Sequence, residues 1–253
     1  VVNGACSDSD TEVIHIDSEV IATITPVGPF CETDAALNLT AVSPGGTWSG
    51  TGITDPVAGT FDPSVAGPGD HTVQYDVVNG ACSDSDTEVI HIDSEVIATI
   101  TPVGPFCETD AAVGLTAVSP GGTWSGTGIT DPVAGTFDPS VAGPGDHTVQ
   151  YDVVNGACSD SDTEVIHVDE EVIATITPVG PFCETDPALN LTAVSPGGTW
   201  SGTGITDPVA GTFDPAVAGP GDHTVQYDVV NGACSDSDTE VIHIDSEVIA
   251  TIT

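Results

Sequence analysis

The chain is built from a 76-residue unit that recurs almost without change. The run VVNGACSDSDTEVIH begins four times, at Val1, Val77, Val153 and Val229. The last 25 residues repeat the first 25 letter for letter. A fixed period of this length indicates an array of small domains, each long enough for a sandwich of short strands with a covalent cross-link. Near-identical copies suit a part that is used repeatedly, whereas an enzyme needs one site, so we predict that the chain is not an enzyme.

Each unit has the pattern of short strands separated by tight turns. We predict strands over 21–27, 36–42, 46–53, 59–65, 70–78 and 85–93. The last two strands are expected to form a hairpin about Asn79-Gly80. Because side chains alternate along a strand, one face carries His71, Val73, Tyr75 and Val77, and we predict that this face lies in the core. Turn residues at intervals of roughly 8–12 positions favour an immunoglobulin-like sandwich.

The predicted fold class is all-β, with tandem immunoglobulin-like β-sandwich domains in an extended array. We expect the repeats at 22–95, 98–171 and 174–247. Residues 1–21 would then supply the C-terminal strand of an upstream repeat, and residues 248–253 would begin a downstream one. Since the chain contains no Met, we expect an internal or processed piece of a longer protein. Each core is expected to hold one Trp and one Tyr: Trp48, Trp124, Trp200, Tyr75, Tyr151 and Tyr227.

Charge excludes several classes of function. The chain has no Lys or Arg against 39 Asp and Glu, for a formal charge of -39. Nucleic-acid affinity comes mostly from Lys and Arg, so no nucleic-acid partner is expected. An anionic membrane surface repels such a chain, and no apolar run approaches the roughly 18 residues of a spanning helix. We therefore expect no direct membrane insertion.

The seven cysteines alternate in spacing between 25 and 51 residues. Disulfide geometry needs Cα atoms within roughly 7 Å, and Cys6 begins a strand that runs toward the next unit, tens of Å from Cys31. This favours pairing within each repeat and leaves Cys6 free. The alternatives are a pairing across the junction, as Cys6–Cys31, and free thiols or metal ligands. The favoured pairs are Cys31–Cys82, Cys107–Cys158 and Cys183–Cys234.

Acidic residues cluster in the D-S-D-T-E run and near the ends of the repeats. Calcium takes roughly six to eight oxygen ligands, which clustered carboxylates at a domain junction could supply. The alternative is a solvated acidic face neutralised by diffuse cations. No cofactor is required by the sequence, and calcium is the one candidate. Its candidate ligands are Asp17, Glu19, Asp84, Asp86, Glu88, Asp93 and Glu95.

Several segments of the unit match a known repeat type. They are GGTWSGTGI at 45–53, GTFDP at 59–63, AGPGDHTVQY at 66–75 and the cysteines at 31 and 82. Together they resemble the Ig-like or PKD-like tandem repeats of giant cell-surface proteins of Bacteroidota, and the resemblance covers the whole period. It implies a cell-surface fibre of the gliding-adhesin kind, exported by the type IX secretion system.

These observations predict a structural repeat segment of an extracellular surface fibre or adhesin stalk that extends the molecule from the cell. In the alternative, the repeats themselves bind glycans or surfaces. A third possibility, an accessory module of an enzyme, needs a catalytic domain that this sequence lacks. The expected partners are neighbouring repeats, other copies in a filament, and surface glycans. The expected location is extracellular, at the cell surface.

Overall fold

The same pair of sheets occurs three times along the chain, once in each 76-residue repeat. The computed structural model describes residues 2–248, with the backbone alone for Val2 and Asn3. A short hairpin, β1 (Val2–Asn3) and β2 (Cys6–Ser7), precedes the repeats. The first repeat contains β3 (Phe30–Cys31), β4 (Leu37–Asn38), β5 (Thr47–Gly50), β6 (Ile53–Asp55), β7 (Thr60–Phe61), α1 (Pro63–Ala66), β8 (Gly69–Asn79) and β9 (Cys82–Asp93).

The second and third repeats follow the same order of elements. The second contains β10 (Phe106–Cys107), β11 (Val113–Gly114), β12 (Thr123–Gly126), β13 (Ile129–Asp131), β14 (Thr136–Phe137), α2 (Pro139–Ala142), β15 (Gly145–Asn155) and β16 (Cys158–Asp169). The third contains β17 (Phe182–Cys183), β18 (Leu189–Asn190), β19 (Thr199–Gly202), β20 (Ile205–Asp207), β21 (Thr212–Phe213), α3 (Pro215–Ala218), β22 (Gly221–Asn231) and β23 (Cys234–Asp245).

Each repeat is a sandwich of a four-stranded and a three-stranded sheet. In the first repeat the larger sheet has the order β3-β9-β8-β5 and the smaller one the order β4-β7-β6. Strand β3 runs parallel to β9, and the other pairs are antiparallel. Because β3 pairs with the last two residues of β9, it lies at the downstream end of the long hairpin. This placement decides where Cys31 can find a partner.

The long hairpin turns one residue later than the sequence prediction. Asn79 pairs with Cys82, so the two central turn residues are Gly80 and Ala81 rather than Asn79 and Gly80. Gly80 has φ 60°, and among residues 2–248 every residue with a positive φ is a glycine. A positive φ at the first central residue alone is the pattern of a type II′ turn, which takes Gly at that position. The hairpin is therefore present as predicted, but with a different turn.

The core forms between the inner faces of the two sheets. Val73, Tyr75 and Val77 of β8 are buried, as is Phe61 from the smaller sheet. Trp48 of β5 is opposite Tyr75 across the strand pair, with ring centroids 4.5 Å apart and the planes tilted by 39°. The Tyr75 hydroxyl donates to the Ser43 carbonyl at 2.6 Å and accepts from the Gly46 amide at 2.8 Å. This Trp–Tyr pair recurs as Trp124–Tyr151 and Trp200–Tyr227, and all six side chains are buried.

Four of the predicted strands differ from the structure. The strand predicted over 36–42 is limited to β4, and the one predicted over 46–53 is divided into β5 and β6 by a turn at Thr51 and Gly52. The strand predicted over 59–65 is wrong beyond Phe61, because Asp62 caps a one-turn helix by accepting from the Ser64 amide and Pro63 occupies its first turn. The segment predicted as a strand over 21–27 makes one isolated bridge, Ile24 to Ala41. The helices of the described residues are single four-residue turns, and none has the length or apolar run needed to cross a membrane.

The chain divides into two compact units whose boundary does not follow the repeats. The first unit is Val1–Ile97 with Val154–Asp160, and the second is Ala98–Val153 with Ser161–Thr253. The segment Val154–Asp160 is the turn of the second repeat's long hairpin, and it belongs to the unit that contains the first repeat. The turn of the second repeat's hairpin therefore packs with the first repeat.

Replacing Trp48 by Ala should lower the free energy of unfolding of its repeat by about 3–5 kcal/mol, because this large side chain is only 4% exposed. Denaturant unfolding followed by circular dichroism measures the loss. Val57→Ala is the control, since Val57 is 84% exposed and its truncation should change stability by at most about 0.5 kcal/mol. Similar small effects of the two changes would contradict this view of the core.

Candidate functional site at the repeat junction

The disulfides join consecutive repeats rather than closing each repeat on itself. Cys107 bonds Cys234, and Cys31 bonds Cys158, with Cα atoms 4.7 and 4.8 Å apart and a sequence separation of 127 residues in both pairs. The predicted pairs Cys31–Cys82, Cys107–Cys158 and Cys183–Cys234 are therefore wrong. The junction alternative Cys6–Cys31 is wrong as well. Cys6, Cys82 and Cys183 are free.

Strand geometry explains why a repeat cannot close on itself. Cys31 pairs with Asp93, the last residue of β9, whereas Cys82 is the first residue of that 12-residue strand. At about 3.3 Å per residue, the two ends of the strand are about 36 Å apart. A disulfide requires Cα atoms within roughly 7 Å, so Cys31 must find its partner at the downstream end of its own repeat.

In the second unit, one aspartate makes the central contacts of the junction between the second and third repeats. Asp169 ends β16 and pairs with Cys107, and its carbonyl accepts from the Glu108 amide at 3.0 Å. Its carboxylate Oδ2 accepts from the Ala233 amide at 2.7 Å, and its carbonyl oxygen is 3.4 Å from Cys234 Sγ. One residue thus contacts both cysteines of the disulfide and the hairpin turn of the next repeat.

The hairpin turn fits this aspartate closely. Gly232 has φ +56°, and a Cβ added there would fall on the Asp169 carboxylate. Asn231 Nδ2 donates to the Glu170 carbonyl at 2.9 Å, immediately after Asp169. We call Asn231–Cys234 and its equivalents the tip, the pair Cys107 with Asp169 and its equivalents the socket, and the two together the clasp.

The first unit contains the same clasp with the tip Asn155–Cys158. Ala157 N donates to Asp93 Oδ2 at 2.7 Å, and Asn155 Nδ2 donates to the Ser94 carbonyl at 3.0 Å. A third tip, Asn79–Cys82, rests on Asp17, whose Oδ2 accepts from the Ala81 amide at 2.8 Å. Asp17 occupies the socket position although no cysteine is bonded to Cys82. The contact between tip and aspartate therefore forms with or without the disulfide.

A histidine two residues before the socket aspartate, on the same strand, contacts its carboxylate. His91 Nδ1 is 2.6 Å from Asp70 Oδ1, and its Nε2 is 3.3 Å from Asp93 Oδ1. The hydrogen bond to Asp70 raises the pKa of His91 above its ordinary value, with Asp93 adding to the effect. Asp93 Oδ2 accepts the hydrogen bond from the tip, so the histidine contacts the other carboxylate oxygen, Oδ1. The same arrangement raises the pKa values of His167 and His243.

The predicted calcium ligands are not brought together as one group. Asp84 Oδ2 accepts from the Ala22 amide at 2.8 Å and Asp86 Oδ2 from the Ile24 amide at 2.9 Å, so both hold the segment that precedes β3. Asp17 and Asp93 hold tips, and the exposed Glu19 and Glu95 and the half-buried Glu88 lie elsewhere on the surface. Within residues 2–248, no three His, Cys, Asp or Glu side chains form a group that could hold a metal ion. Calcium binding remains a prediction.

Each repeat also has a shallow groove beside its Trp–Tyr pair. In the first repeat it has a volume of about 210 Å³, and its lining includes Gly45, Gly46, Val57, Trp48 and Tyr75. The two rings are only 4% and 3% exposed, so they offer little aromatic surface to a ligand. The groove contains none of the titratable residues of the clasp.

The cross-link should contribute strongly to stability. In the chain-entropy account, closing a loop of 127 residues lowers the conformational entropy of the unfolded chain, which raises the free energy of unfolding by about 5 kcal/mol. The bonded cysteines are buried, with Cys158 and Cys234 only 2% and 1% exposed, which protects the bond from solvent thiols. The clasp thus combines a buried disulfide with hydrogen bonds around it.

Comparison with known proteins gives the fold. The chain resembles the N-terminal eight Ig domains of Down Syndrome Cell Adhesion Molecule, with a TM-score of 0.51 and 13% identity over 91% of this chain and 37% of that one. It also resembles the I-band fragment I67–I69 from titin, with a TM-score of 0.47 and 16% identity over 91% and 100% of the two chains. No protein-family model and no curated protein matches it. The predicted fold class of tandem immunoglobulin-like β-sandwich domains is confirmed.

Sequence reasoning did not predict that the socket aspartates accept hydrogen bonds from the tips. From the sequence, Asp17 and Asp93 are named only as candidate calcium ligands and Asp169 is not singled out, because a lone Asp after VIH(I/V) carries no motif. One signal was available in the period itself. Since every cysteine recurs after 76 residues, a partner one repeat further along is as consistent with the spacing as a partner in the same repeat.

Gly232→Ala should lower the free energy of unfolding by about 1–3 kcal/mol, because the new Cβ meets the Asp169 carboxylate at a positive φ. A double-mutant cycle with Asp169→Ala separates the two causes. Removing the carboxylate should abolish the part of the loss that comes from the collision and leave the part that comes from φ. Strict additivity of the two substitutions, measured by denaturant unfolding of the oxidised protein, would contradict the seated tip.

Proposed function

We propose that this chain is a structural repeat segment of an extracellular surface fibre or adhesin stalk, in which each junction between repeats is fastened by a clasp. The observation that carries the proposal is the Cys107–Cys234 bond, which joins one repeat to the next inside a single compact unit. A covalent joint between neighbours is useful where repeats carry tension in series. The immunoglobulin-like fold of each repeat is compatible with this role and does not by itself require it.

The disulfides also support the proposed location. Such bonds persist in oxidising surroundings, outside the cell or on its surface, and are rare in the cytosol. The charge of -39 keeps an exposed fibre soluble and opposes unspecific association. With the resemblance to Bacteroidota surface repeats, these features favour a cell-surface protein exported by the type IX secretion system.

The two histidines of the repeat have hydrogen-bonding partners within the fold. His71 Nε2 is 2.7 Å from the Gly67 carbonyl, and His91 lies between Asp70 and Asp93. These arrangements recur in all three repeats, as expected for a building element rather than for one reaction centre. This recurrence supports the proposal of a structural element rather than an enzyme.

Direct adhesion is the second candidate, and the groove beside each Trp–Tyr pair is the surface that favours it. Glycan recognition often uses exposed aromatic faces, and the rings here are buried. A glycan array probed with the oxidised protein tests this candidate. Binding that is lost on Val57→Asp at the rim of the groove would favour adhesive repeats over a passive stalk.

The stalk proposal predicts how far the chain can be stretched. With both clasps closed, the shortest covalent path between the ends passes from Cys31 to Cys158, back to Cys107 and on through Cys234, and contains about 100 of the 253 residues. At about 3.5 Å per residue, single-molecule pulling should end near 350 Å, against about 880 Å after reduction.

Two cysteine variants make this measurement specific. Cys158→Ser opens one clasp and should lengthen the limit to about 440 Å, because the path then contains about 125 residues. Cys82→Ser removes a free thiol and should leave the limit unchanged. Equal limits for the oxidised and reduced proteins would contradict a role in bearing tension.

A further inference from the structure

Each closed tip begins with the dipeptide Asn-Gly, as Asn155-Gly156 in the second repeat and Asn231-Gly232 in the third. In such a pair the glycine nitrogen can attack the carbonyl carbon of the asparagine side chain, because glycine has no side chain that obstructs the approach. Asparagine is for this reason one of the chemically labile residues of proteins. Both dipeptides are exposed, so the water that completes the reaction can reach them. The tip therefore has a reactive group besides its cysteine.

The closed clasp holds the asparagine where this attack is opposed. Asn231 is the last residue of β22 and pairs with Cys234, so its backbone is extended and fixed by the hairpin. Its side chain is held as well, because Nδ2 donates to the Glu170 carbonyl at 2.9 Å. Closing a ring between the side chain and the Gly232 nitrogen requires rotation about the backbone and side-chain bonds of Asn231. Both rotations break contacts of the clasp.

The glycine of the pair is held by the socket aspartate. Ala233, which follows Gly232, donates its amide to Asp169 Oδ2 at 2.7 Å, and the Asp169 carboxylate occupies the place where a Cβ of Gly232 would be. The clasp of the first unit has the same contacts, with Asn155 Nδ2 donating to the Ser94 carbonyl at 3.0 Å. The asparagine and the glycine are thus each fixed by residues outside their own hairpin.

We propose that Asn155 and Asn231 are sites of spontaneous deamidation, that the closed clasp blocks the reaction, and that deamidation of an opened clasp keeps the tip from returning to its socket. The reactants are the chain itself and water, and the products are aspartate or isoaspartate and ammonia. Local opening of the tip precedes the reaction. The proposal goes beyond the stalk function, because it depends on the contacts of the clasp and holds whether or not the repeats bear tension.

The reaction balances without an oxidant or a cofactor. In an opened tip, the Gly232 nitrogen attacks the side-chain carbonyl carbon of Asn231, and a new carbon–nitrogen bond forms. The side-chain nitrogen leaves as ammonia with the proton that the Gly232 nitrogen gives up, so a cyclic imide remains. Water then adds to one of the two imide carbonyl carbons, and the ring opens at that carbon–nitrogen bond. One opening gives aspartate, and the other gives isoaspartate, in which the main chain passes through the side-chain carbon.

The product of deamidation no longer fits the socket. A carboxylate at position 231 cannot donate to the Glu170 carbonyl and instead brings a second acceptor against it. The same carboxylate adds a negative charge near Asp169, and the chain has no Lys or Arg that could balance the pair. Isoaspartate in addition lengthens the main chain by one carbon, which disrupts the pairing with Cys234. A deamidated tip therefore loses the hydrogen bonds that surround the disulfide in the closed clasp.

The first test measures deamidation of Asn231 in the folded and in the denatured protein. A Val230→Ile change, at a side chain that is 69% exposed, gives the tip peptide of the third repeat a mass of its own in every sample. The monomer with both internal disulfides formed is alkylated at its free thiols and incubated at mildly alkaline pH, beside a reduced and denatured sample. After reduction, cutting on the amino side of aspartate releases residues 228–235. Isoaspartate leaves this peptide whole and heavier, whereas aspartate creates a new cut before position 231.

The folded, oxidised protein should deamidate at Asn231 about tenfold more slowly than the denatured protein, or slower still, because the clasp has to open first. Asp169→Ala removes the socket carboxylate and should raise the rate in the folded, oxidised protein by about fivefold or more. Asp207→Ala removes the same charge from the exposed end of β20 and should leave the rate unchanged. Equal rates in the folded and denatured protein would overturn the proposal, as would equal rates in the two variants.

The second test measures whether a deamidated tip can return to its socket. Asn231→Asp reproduces one product, and the alkylated monomer is reduced and then equilibrated in a glutathione redox buffer. The equilibrium constant for re-forming Cys107–Cys234 should fall by about fivefold or more, because the tip has lost a donor and gained a charge. The Cys31–Cys158 bond of the same molecules is the control and should be unchanged. Cys234 then lies in the peptide DGACS and Cys158 in DVVNGACS, so mass distinguishes the two bonds. An unchanged constant for Cys107–Cys234 would overturn the proposed block on return.

Discussion

The bond between a socket aspartate and a backbone amide of the following tip is the contact on which the junction depends. Asp169 ends the last strand of its repeat, and its carboxylate fixes the turn that contains Cys234. With the turn in place, Cys107 and Cys234 have Cα atoms 4.7 Å apart, within the range that a disulfide needs. The tip that contains Cys82 makes the same polar contact, with its Ala81 amide donating to Asp17 Oδ2 at 2.8 Å.

The absence of Lys and Arg explains why carboxylates have this role throughout the structure. A carboxylate without a cationic side chain can still accept hydrogen bonds from backbone amides, which carry no charge but are fixed in direction. Asp55 accepts from the amides of Ala58 and Val57, which lowers its pKa, and Asp62 caps a helical turn. Asp84 and Asp86 hold the segment before β3 in the same way. Much of the acidity therefore serves the fold and is not merely a solvated surface.

Sequence reasoning predicted the parts of this structure that depend on local pattern. Alternation in the long strand gave the buried face of Val73, Tyr75 and Val77, and the period gave three equivalent sandwiches. It failed where the outcome depends on how strands are placed in the sheet. The parallel pairing of β3 with the end of β9 moves Cys31 about a full strand length from Cys82, and no local pattern encodes that pairing. The tip contacts were missed for the same reason, since they join residues 64 positions apart.

Counting the free thiols of the isolated monomer, denatured without reduction, tests the central claim most directly. Clasps between consecutive repeats leave three free thiols, at Cys6, Cys82 and Cys183. Pairing within each repeat would use six of the seven cysteines and leave Cys6 alone. A titration that gives three thiols per chain is the result expected here. A value of one thiol per monomer would contradict the clasp and with it the account of the junction.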